Sequence, residues 1–345
     1  MTERRLDNPI TATLAGVRDQ FRPSQPIGQL TDADRLDGRT ALVTGANSGL
    51  GKAIAIRLAA RGARVLMACR SGIPEAGEAV RREAARLSPP TSPRVEMRSI
   101  DLSDLAHVGR FCDRLAADGE RLDIVVLNAA VMPRSDRRSA QGFELMFAVN
   151  YLANVALLHR LLSDGVLPNT RFCPDCPAPE VTPRLIVVAS EAHRSAAPID
   201  PARLGEYTPY NAVTGMAHYA RTKALLIALA NHLAAALSEG GEVEVAVHAM
   251  CPGAVNSNLA REAPVWVKPL LSPLMALLFR SPFAAAEPAV YLACAPELDK
   301  ETGLYLHLMS RKEPADQTRD PELGAALWRE SLALLRPHMD LPTTP

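Results

Sequence analysis

Residues 40–51, Thr-Ala-Leu-Val-Thr-Gly-Ala-Asn-Ser-Gly-Leu-Gly, constrain the fold of this chain more than any other stretch. Thr40 to Val43 has the pattern of a short buried strand, and the next eight residues form a glycine-rich turn. A helical pattern follows, with Ile54 and Leu58 on one apolar face. Glycine lets the backbone approach an anion closely, and the first turn of a helix offers free N–H groups and the positive end of its dipole. The stretch therefore predicts a phosphate-binding turn.

Two better-known phosphate motifs do not fit this turn. A nucleoside-triphosphate loop needs Gly-x-x-x-x-Gly-Lys-Ser/Thr, but Ala46 stands where the first glycine belongs and Ala53 follows Lys52. The dinucleotide spacing Gly-x-Gly-x-x-Gly is also absent, since the observed spacing is Gly-x-x-x-Gly-x-Gly. Taken alone, the turn could still be a plain connection between a strand and a helix.

Composition bounds the class of protein. The chain has 345 residues, 48% of them hydrophobic and 22% charged, which is enough for one large core. Lys plus Arg and Asp plus Glu balance at 38 each, so no net field attracts nucleic acid or an anionic membrane. Residues 1–10 lack the apolar run of a secretory signal, and residues 265–279 are too short and too interrupted by proline to span a bilayer. We expect a cytoplasmic protein with no nucleic-acid partner and no integral membrane segment.

The six cysteines are scattered along the chain. Four of them lie in apolar surroundings and are expected to be buried thiols: Cys69, Cys112, Cys251 and Cys294. The pair Cys173 and Cys176 forms a lone Cys-x-x-Cys in a proline-rich segment, and the two further ligands that a structural zinc would need are not evident. No metal is expected, a redox role is not favoured, and the cysteines are expected to be reduced.

Strand-like and helix-like patterns alternate from Thr40 onwards. Such alternation with short links predicts an α/β fold, a single Rossmann-type doubly wound parallel sheet with helices on both faces. The expected strands are 40–43, 64–69, 95–100, 122–128, 184–190, 243–249 and 304–309, and the expected helices include 75–87, 104–117, 142–162, 216–237 and 283–294. We divide the chain into an N-terminal extension (1–36), one domain (37–312) and a C-terminal helix and tail (313–345).

Two irregular segments interrupt this alternation. Residues 164–183 hold five prolines before a core strand and are interpreted as a surface insertion. Residues 252–282 are apolar and punctuated by proline, as in a mobile lid over an apolar substrate pocket. Ordinary packing of this second segment is the alternative.

Polar or small residues follow each predicted strand. Ligands of an open parallel sheet bind beyond the carboxyl ends of the strands, where the strand order reverses. The residues expected along this groove are the glycine turn, Cys69–Arg70, Asp101–Leu102, Asn128–Ala130, Ser190 and Cys251–Gly253.

Arg70 lies 19 positions beyond Gly51, close to where a dinucleotide fold reads the adenosine ribose. An acidic side chain at this position would accept a hydrogen bond from the ribose 2′-hydroxyl. This chain instead has Arg70 there and Lys52 near the turn, and the next acidic residue is Glu75. A guanidinium suits a 2′-phosphate. The sequence therefore favours NADP, and NAD less, although a solvated surface arginine is the alternative.

Tyr219 and Lys223 are spaced to share one face of a helix. A tyrosine is a poor acid or base at neutral pH because its pKa is near 10, and a neighbouring ammonium lowers that pKa. The pair is suited to proton transfer at a carbonyl oxygen.

In combination, these motifs resemble the short-chain dehydrogenase/reductase family over about residues 38–310. Thr-Gly-x-x-x-Gly-x-Gly, Asp101-Leu102, Asn128-Ala-Ala130, Asn150, Ser190, Tyr219-x-x-x-Lys223 and Pro252-Gly253 carry the resemblance. The chain looks most like the retinol-dehydrogenase-like and protochlorophyllide-reductase-like branch, through Ala68-Cys69-Arg70, Phe147-Ala-Val-Asn150, Ala189-Ser190-Glu-Ala-His193 and Leu327-Trp328-Arg-Glu-Ser331.

The resemblance implies an NADP(H)-dependent oxidoreductase that interconverts an alcohol and a carbonyl on a lipophilic small molecule. Tyr219 would be the general acid/base, Lys223 would tune it, Ser190 would bind the substrate carbonyl and Asn150 would hold a relay water. The implied cofactor residues are Thr44, Gly45, Asn47, Ser48, Gly49, Leu50, Gly51, Arg70, Asp101, Leu102, Asn128, Ala129, Ala130, Tyr219, Lys223, Pro252, Gly253, Val255 and Ser257. In this family, the two long helices often form a homodimer interface.

Some residues depart from the family pattern. The fourth strand ends in Asn-Ala-Ala, the branch's Asn-His-Leu-Gly-His reads Asn150-Tyr-Leu-Ala-Asn154, and Ser257 replaces threonine. These differences leave the substrate undefined. A Ser190–His193 hydrolase is not expected, because no Gly-x-Ser-x-Gly elbow surrounds the serine. A non-catalytic NADP(H)-binding scaffold or redox sensor is the alternative function.

Overall fold

Strand β1 (Thr40–Thr44) runs through the glycine turn into helix α1 (Gly49–Ala60), as the sequence predicts. The structure is a computed structural model that describes residues 26–88, 92–255 and 280–342. Of the predicted N-terminal extension it describes residues 26–36, and residues 256–279 of the predicted lid lie outside the described residues.

Within the described residues, eight strands form one sheet in the order β3-β2-β1-β4-β5-β6-β7-β8. The other strands are β2 (Arg64–Cys69), β3 (Val95–Ser99), β4 (Ile124–Leu127), β5 (Arg184–Val188), β6 (Ala246–Cys251), β7 (Tyr305–His307) and β8 (Ser310–Arg311). Neighbouring strands pair in parallel from β3 through β7, and β8 alone is antiparallel to its neighbour. The strand order reverses between β1 and β4, and this is the switch point at which a doubly wound sheet binds ligands. The predicted fold class is confirmed, and β8 is an edge strand of two residues that the pattern did not predict.

Helices cover both faces of the sheet. The remaining helices are α2 (Glu75–Leu87), α3 (Leu105–Ala117), α4 (Leu145–Phe147), α5 (Ala153–Ser163), α6 (Gly215–Ala236), α7 (Pro282–Ala285), α8 (Glu287–Cys294) and α9 (Pro321–Leu335). Side-chain caps set several starts: Asp104 accepts from Ala106 N at α3, and Asp320 accepts from Glu322 N at α9.

Alternate residues of each central strand enter two separate cores. In β1, Leu42 packs with α3, α5 and α6, whereas Ala41 and Val43 pack with α1 and α8 on the other face. All three side chains are fully buried. Because both faces of these strands are buried, their sequences are continuous apolar runs and do not alternate between apolar and polar residues.

The helix predicted over residues 142–162 begins later and is not continuous. The Glu144 carboxylate accepts hydrogen bonds from Met146 N (2.7 Å) and Phe147 N (2.8 Å), so the helix starts after it. One π-helical turn, Ala148–Leu152, then separates α4 from α5. The side-chain amide of Asn154 donates through Nδ2 to the backbone carbonyl oxygen of Asn150 (2.9 Å) across this turn. Such turns are frequent at functional sites, and this one carries Asn150.

Helix α9 covers part of the outer face of α5 and α6. Leu327 is buried, and the Trp328 ring lies 5.9 Å from His159 on α5 and 5.8 Å from His232 on α6. Gly324 packs so closely on α6 that an added Cβ would lie 3.1 Å from His232 Cβ. The chain's own C-terminal helix thus occupies part of the face that the sequence predicted for a homodimer.

The segment from 164 to 183 contains a disulfide between Cys173 and Cys176. This corrects the expectation that the cysteines are all reduced. Their separation of three residues in an irregular segment lets the two sulfur atoms meet. Cys69, Cys112, Cys251 and Cys294 are free and buried, as predicted.

Among the residues that the structure describes, one helical stretch, Leu145–Ser163, has the length and apolar composition of a membrane span. Most of it is buried inside the protein among other core residues, and a core helix meets the same criteria of length and composition.

Candidate active site

The glycine turn presents the start of α1 to the carboxyl edge of the sheet. Gly45 and Gly49 have φ angles of +66° and +56°, in the region that glycine adopts most easily. Ser48 is the N-cap residue of α1, but its side chain makes no capping hydrogen bond. The first turn of α1, all of which the structure describes, contains no acidic residue. The N–H groups of the first turn therefore remain suited to an anion.

Thr44 and Asn128 join β1 to β4 at the switch point. Thr44 Oγ1 accepts hydrogen bonds from the backbone N of Asn128 and of Ala129, both at 3.0 Å, and Asn128 Nδ2 donates to Thr44 O (2.9 Å). An added Cβ on Gly51 would lie 2.4 Å from Asn128 Nδ2. Asn128, predicted to line the cofactor, thus also fixes the turn, and Gly51 leaves room for it.

Arg70 lies exposed at the carboxyl end of β2, with Nη1 4.0 Å from Asp101 Oδ1. Lys52, predicted to assist it, instead donates from Nζ to Glu83 Oε1 on α2 (2.7 Å). Ser71, which the sequence analysis did not single out, adjoins Arg70, and Asn47 Nδ2 donates to its carbonyl oxygen (3.2 Å). Of these two cations, Arg70 is the more exposed and Lys52 has the closer ion pair.

Asp101 and Leu102 follow β3 at the same edge. Asp101 Oδ1 accepts from Ser103 N (2.9 Å) and Ser103 Oγ (2.6 Å), while Asp101 N donates to His107 Nδ1 (2.8 Å). These bonds hold the two predicted adenine-flanking residues in a fixed turn.

Tyr219, Lys223 and Ser190 meet at the carboxyl ends of β5 and β6. The Ser190 side chain is a hydrogen-bonding neighbour that lowers the pKa of the Tyr219 hydroxyl, against the larger effect of burial. Lys223 Nζ donates to Val188 O (2.8 Å) and lies 5.6 Å from the centroid of the Tyr219 ring. The structure thus brings together three of the predicted catalytic side chains from one helix and one strand end.

The electrostatics of this pair differ from the sequence expectation. Burial raises the pKa of Tyr219, the Cys251 group adds to that shift, and the hydrogen bond from Ser190 opposes it. Burial also lowers the pKa of Lys223 to about 8, and the influence of Cys251 opposes that shift. In this geometry the pKa of Tyr219 is raised by burial and not lowered by the ammonium as the sequence predicted.

Asn150 reaches the site through its side chain. Its Oδ1 accepts from Val131 N (2.8 Å), and its Nδ2 donates to Val131 O (3.0 Å) and to Thr222 Oγ1 (3.3 Å). Thr222 in turn donates to Tyr219 O (2.8 Å). Sequence reasoning missed Thr222, although its place directly before Lys223 in the motif was visible.

The residues predicted for the nicotinamide end follow β6. Pro252 is buried, Gly253 has a φ angle of +78°, and Val255 forms a parallel bridge with Arg280. Ser257, the last predicted cofactor residue, lies outside the described residues.

Other chemistry near Ser190 does not fit the surroundings. His193 Nδ1 contacts Ser190 O (2.7 Å) and its Nε2 accepts from Ala315 N (3.0 Å), so both ring nitrogens are engaged away from the serine hydroxyl. Glu191, Cys251 and His307 place one ligand atom each within 4.8 Å of one another. Two cationic side chains already bind the Glu191 carboxylate, and burial raises the pKa of the Cys251 thiol to about 12, which disfavours the thiolate that a metal requires.

Comparison with known proteins agrees with this arrangement. The family model described as short chain dehydrogenase matches residues 39–165. Human (Homo sapiens) retinol dehydrogenase 13 is 32% identical over 336 residues, which cover 95% of this chain and 94% of that protein. Human dehydrogenase/reductase SDR family member 13 is 36% identical, over 87% of this chain and 74% of its own length.

Solved structures share the fold. An uncharacterised protein from Mycobacterium paratuberculosis superposes with a TM-score of 0.64 at 27% identity, covering 92% of this chain and all of its own. The Pseudomonas aeruginosa RhlG/NADP complex has a TM-score of 0.56 at 25% identity, over 80% of this chain and 96% of its own.

The fold, the phosphate turn and these relatives define a dinucleotide-dependent oxidoreductase that acts on CH–OH groups and their carbonyl counterparts. The chain belongs to the short-chain dehydrogenase/reductase family and is retinol-dehydrogenase-like within it.

Proposed function

We propose that the protein is an NADP(H)-dependent oxidoreductase that interconverts an alcohol and a carbonyl on a lipophilic small molecule, with Tyr219 as the general acid/base. The observation that carries the proposal is the meeting of Tyr219, Ser190 and Lys223 at one edge of the sheet. In the reducing direction, the Tyr219 hydroxyl gives its proton to the carbonyl oxygen, and Ser190 donates a hydrogen bond to the same oxygen. In the oxidising direction, Tyr219 takes the hydroxyl proton.

Lys223 and Asn150 support Tyr219 in this scheme. The buried Lys223 ammonium stabilises the phenolate that forms when Tyr219 loses its proton, so the barrier falls where charge develops. Asn150 is bonded to Thr222, and Thr222 is bonded to the Tyr219 backbone. In our proposal Asn150 also holds a water that returns the proton through Lys223.

The groove suits a dinucleotide, which supplies or accepts the hydride when bound. The pyrophosphate is assigned to the first turn of α1, whose uncapped N–H groups suit an anion. The proposed residues are Thr44 to Gly51 for the pyrophosphate, Asp101 and Leu102 for adenine, Asn128 to Ala130 along the cofactor, and Pro252, Gly253, Val255 and Ser257 at the nicotinamide end.

Arg70 supports NADP over NAD. Its side chain is exposed at the end of β2 and is free of the close ion pair that engages Lys52. A planar guanidinium can bind a phosphate through two parallel hydrogen bonds. NADP is also bound in the complex of Pseudomonas aeruginosa RhlG.

A lipophilic substrate is supported by the relatives' names. Retinol dehydrogenase 13 and polyprenol dehydrogenase, the latter 32% identical over 89% of this chain, are both named for apolar alcohols. The apolar segment 252–282 begins with the proposed nicotinamide residues, as a lid over such a substrate would.

A substitution at Tyr219 tests the mechanism. The wild-type protein is assayed with NADPH against a panel of retinal, a steroid ketone, a long-chain aldehyde and an aromatic polyketide ketone. Tyr219→Phe should abolish turnover of whichever compound reacts, while NADPH binding, followed by fluorescence, is retained. Turnover in the variant would overturn the assigned role.

A non-catalytic NADP(H)-binding scaffold or redox sensor is the second proposal, since a fold can host roles without turnover. The presence of all four side-chain types of the catalytic set argues against it. A silent panel with NADPH bound would favour it.

Compartment and assembly are further proposals. We place the protein in the cytoplasm because four of its six cysteines are free thiols, although the Cys173–Cys176 disulfide is typical of an oxidising compartment. A homodimer would use a surface other than the face that α9 covers. A fluorescent fusion and light scattering test these two points.

A further inference from the structure

Glu191 follows Ser190 directly and is buried, with 6% of its surface exposed. Carboxylates are rarely buried unless they are paired. The residue begins a short 3₁₀ turn, Glu191–Ser195, that packs on the helix carrying Tyr219. Its surroundings therefore bear on how Ser190 faces Tyr219.

Three side chains bind the Glu191 carboxylate. Oε1 accepts from the Tyr305 hydroxyl (2.6 Å), while Oε2 accepts from Lys312 Nζ (2.7 Å) and Arg194 Nε (2.9 Å). Burial opposes the ionised form, but the charges of Arg194, His307 and Lys312 hold the pKa of Glu191 well below its usual range. The carboxylate thus contributes a negative charge that balances part of the positive charge around it.

The backbone of Glu191 links the serine turn to the next strand. Its N–H donates to Cys251 Sγ (3.3 Å), and Cys251 is the last residue of β6, directly before Pro252 and Gly253. The proposed substrate serine and the proposed nicotinamide residues are therefore joined through one residue.

His193 fixes the same turn from its other side. Because Ala315 N can only donate, His193 Nε2 accepts that hydrogen bond (3.0 Å), and Nδ1 carries the proton given to Ser190 O (2.7 Å). Burial lowers the pKa of His193 to about 4, in keeping with a neutral ring. The segment from 305 to 315 thus holds the Ser190 turn through both Glu191 and His193.

We propose that Glu191 is a positioning residue: anchored by Tyr305 and Lys312, it sets the Ser190 hydroxyl against Tyr219 and balances the positive charge beside them. This inference rests on the proposed function, since it concerns the same reaction. The groups that face Glu191 are Arg194 on its own turn, Tyr305 and His307 on β7, Lys312 after β8, and Cys251 on β6.

Glu191→Gln removes the charge while keeping the size of the side chain. Small misplacement of a reacting group is costly, so we expect kcat to fall by roughly tenfold to a hundredfold, with the Kd for NADPH changed by less than about threefold. Loss of this negative charge should also move the pH limb of kcat that reports Tyr219 to lower pH, because a more positive surrounding favours the phenolate.

Glu120→Gln is the matched control. Glu120 is also a carboxylate with an 8% exposed side chain and two cationic partners, Arg64 (2.6 Å) and Arg98 (3.1 Å), but it lies before β4 at the amino end of the strands. It should lose stability without a change in kcat or in the pH limb. The double variant Glu191→Gln with Lys312→Met should return the pH limb toward that of the wild type.

Unchanged kcat and pH limb in Glu191→Gln, with an active wild type, would overturn the inference and leave the proposed function standing. A wild type that turns over no compound would remove the proposed function. Amide hydrogen exchange of residues 190–196 then still tests whether Glu191 anchors this turn. The exchange rate should increase in Glu191→Gln and stay unchanged in Glu120→Gln. Should Glu191→Gln not fold, Tyr305→Phe removes only one hydroxyl, and an unchanged kcat and exchange rate in that variant would refute the inference.

Discussion

Lys223 Nζ lies 2.8 Å from the carbonyl oxygen of Val188, the last residue of β5 and two residues before Ser190. The ammonium is thus attached to the strand that presents the serine, while its own helix presents Tyr219. A single buried cation fixes the relation between the two proposed partners of the substrate oxygen.

Replacing this buried cation should change how stability depends on pH. Burial lowers the pKa of Lys223 from 10.5 to about 8, so between these values the unfolded chain binds more protons than the folded one. The contribution of Lys223 to the free energy of unfolding is therefore lowest below about pH 8 and rises until about pH 10.5. The stability of the wild type relative to Lys223→Met should increase by about 3 kcal/mol across this window.

Chemical denaturation of both proteins at several pH values measures this difference. Groups common to the two proteins cancel, which isolates the lysine. A constant difference between about pH 7 and pH 10.5 would show that Lys223 titrates normally in the folded protein.

Thr222 should matter for both stability and turnover. Its hydroxyl donates to Tyr219 O and accepts from Asn150 Nδ2. Thr222→Val keeps the shape but leaves the Asn150 amide without this acceptor, so we expect a loss of about 1–3 kcal/mol in the free energy of unfolding. Thr222→Ser keeps the hydroxyl and serves as the control. Equal stability and equal kcat in the valine and serine variants would contradict the role of this hydrogen bond.

Local pattern predicted much of this site because its parts are local. The strand, turn and helix of residues 40–60 are consecutive, and Tyr219 and Lys223 share a helix face by spacing alone. The Glu191 anchor could not be predicted in this way, because Tyr305 and Lys312 are 114 and 121 residues away in sequence. Its signal, an acid directly after a strand end, was visible in the sequence, but its partners were not.

The π-helical turn and the reversed pKa shift of Tyr219 escaped prediction for related reasons. The Asn154 side-chain amide donates to the Asn150 carbonyl across the turn (2.9 Å), a contact that a helical pattern does not encode. The shift depends on burial, to which several elements contribute at once, whereas the motif reveals only the lysine.

Cofactor choice should follow Arg70 and not Lys52. Arg70→Asp should shift preference from NADPH toward NADH, because a carboxylate repels a 2′-phosphate and accepts from a 2′-hydroxyl. Lys52→Ala should leave the ratio of the two Kd values unchanged, since Lys52 is paired with Glu83. Fluorescence titration with both cofactors measures the ratio. A shift in the lysine variant that equals that in Arg70→Asp would refute the assignment.

The disulfide predicts the number of reactive thiols. Burial raises the pKa of Cys69 to about 11 and of Cys112, Cys251 and Cys294 to about 12, so these thiols should resist alkylation in the folded protein. Protein purified without reductant should show no fast-reacting thiol, and mild reduction should expose two. Cys173→Ser should show one without reduction. Intact mass after maleimide treatment gives the count, and two fast thiols before reduction would mean that the disulfide is not formed.

Helix α9 should stabilise the fold by covering part of the outer face of α5 and α6. Leu327 is 1% exposed on this helix, so Leu327→Ala should lower the free energy of unfolding by about 2–5 kcal/mol. Arg329→Ala, whose side chain is 71% exposed on the same helix, should change it little. Removing residues 321–345 uncovers an apolar face, and an uncovered face of this kind favours association. Light scattering should therefore show more protomers per particle for the truncated chain than for the full chain, whereas the same number in both would show that the uncovered face does not associate.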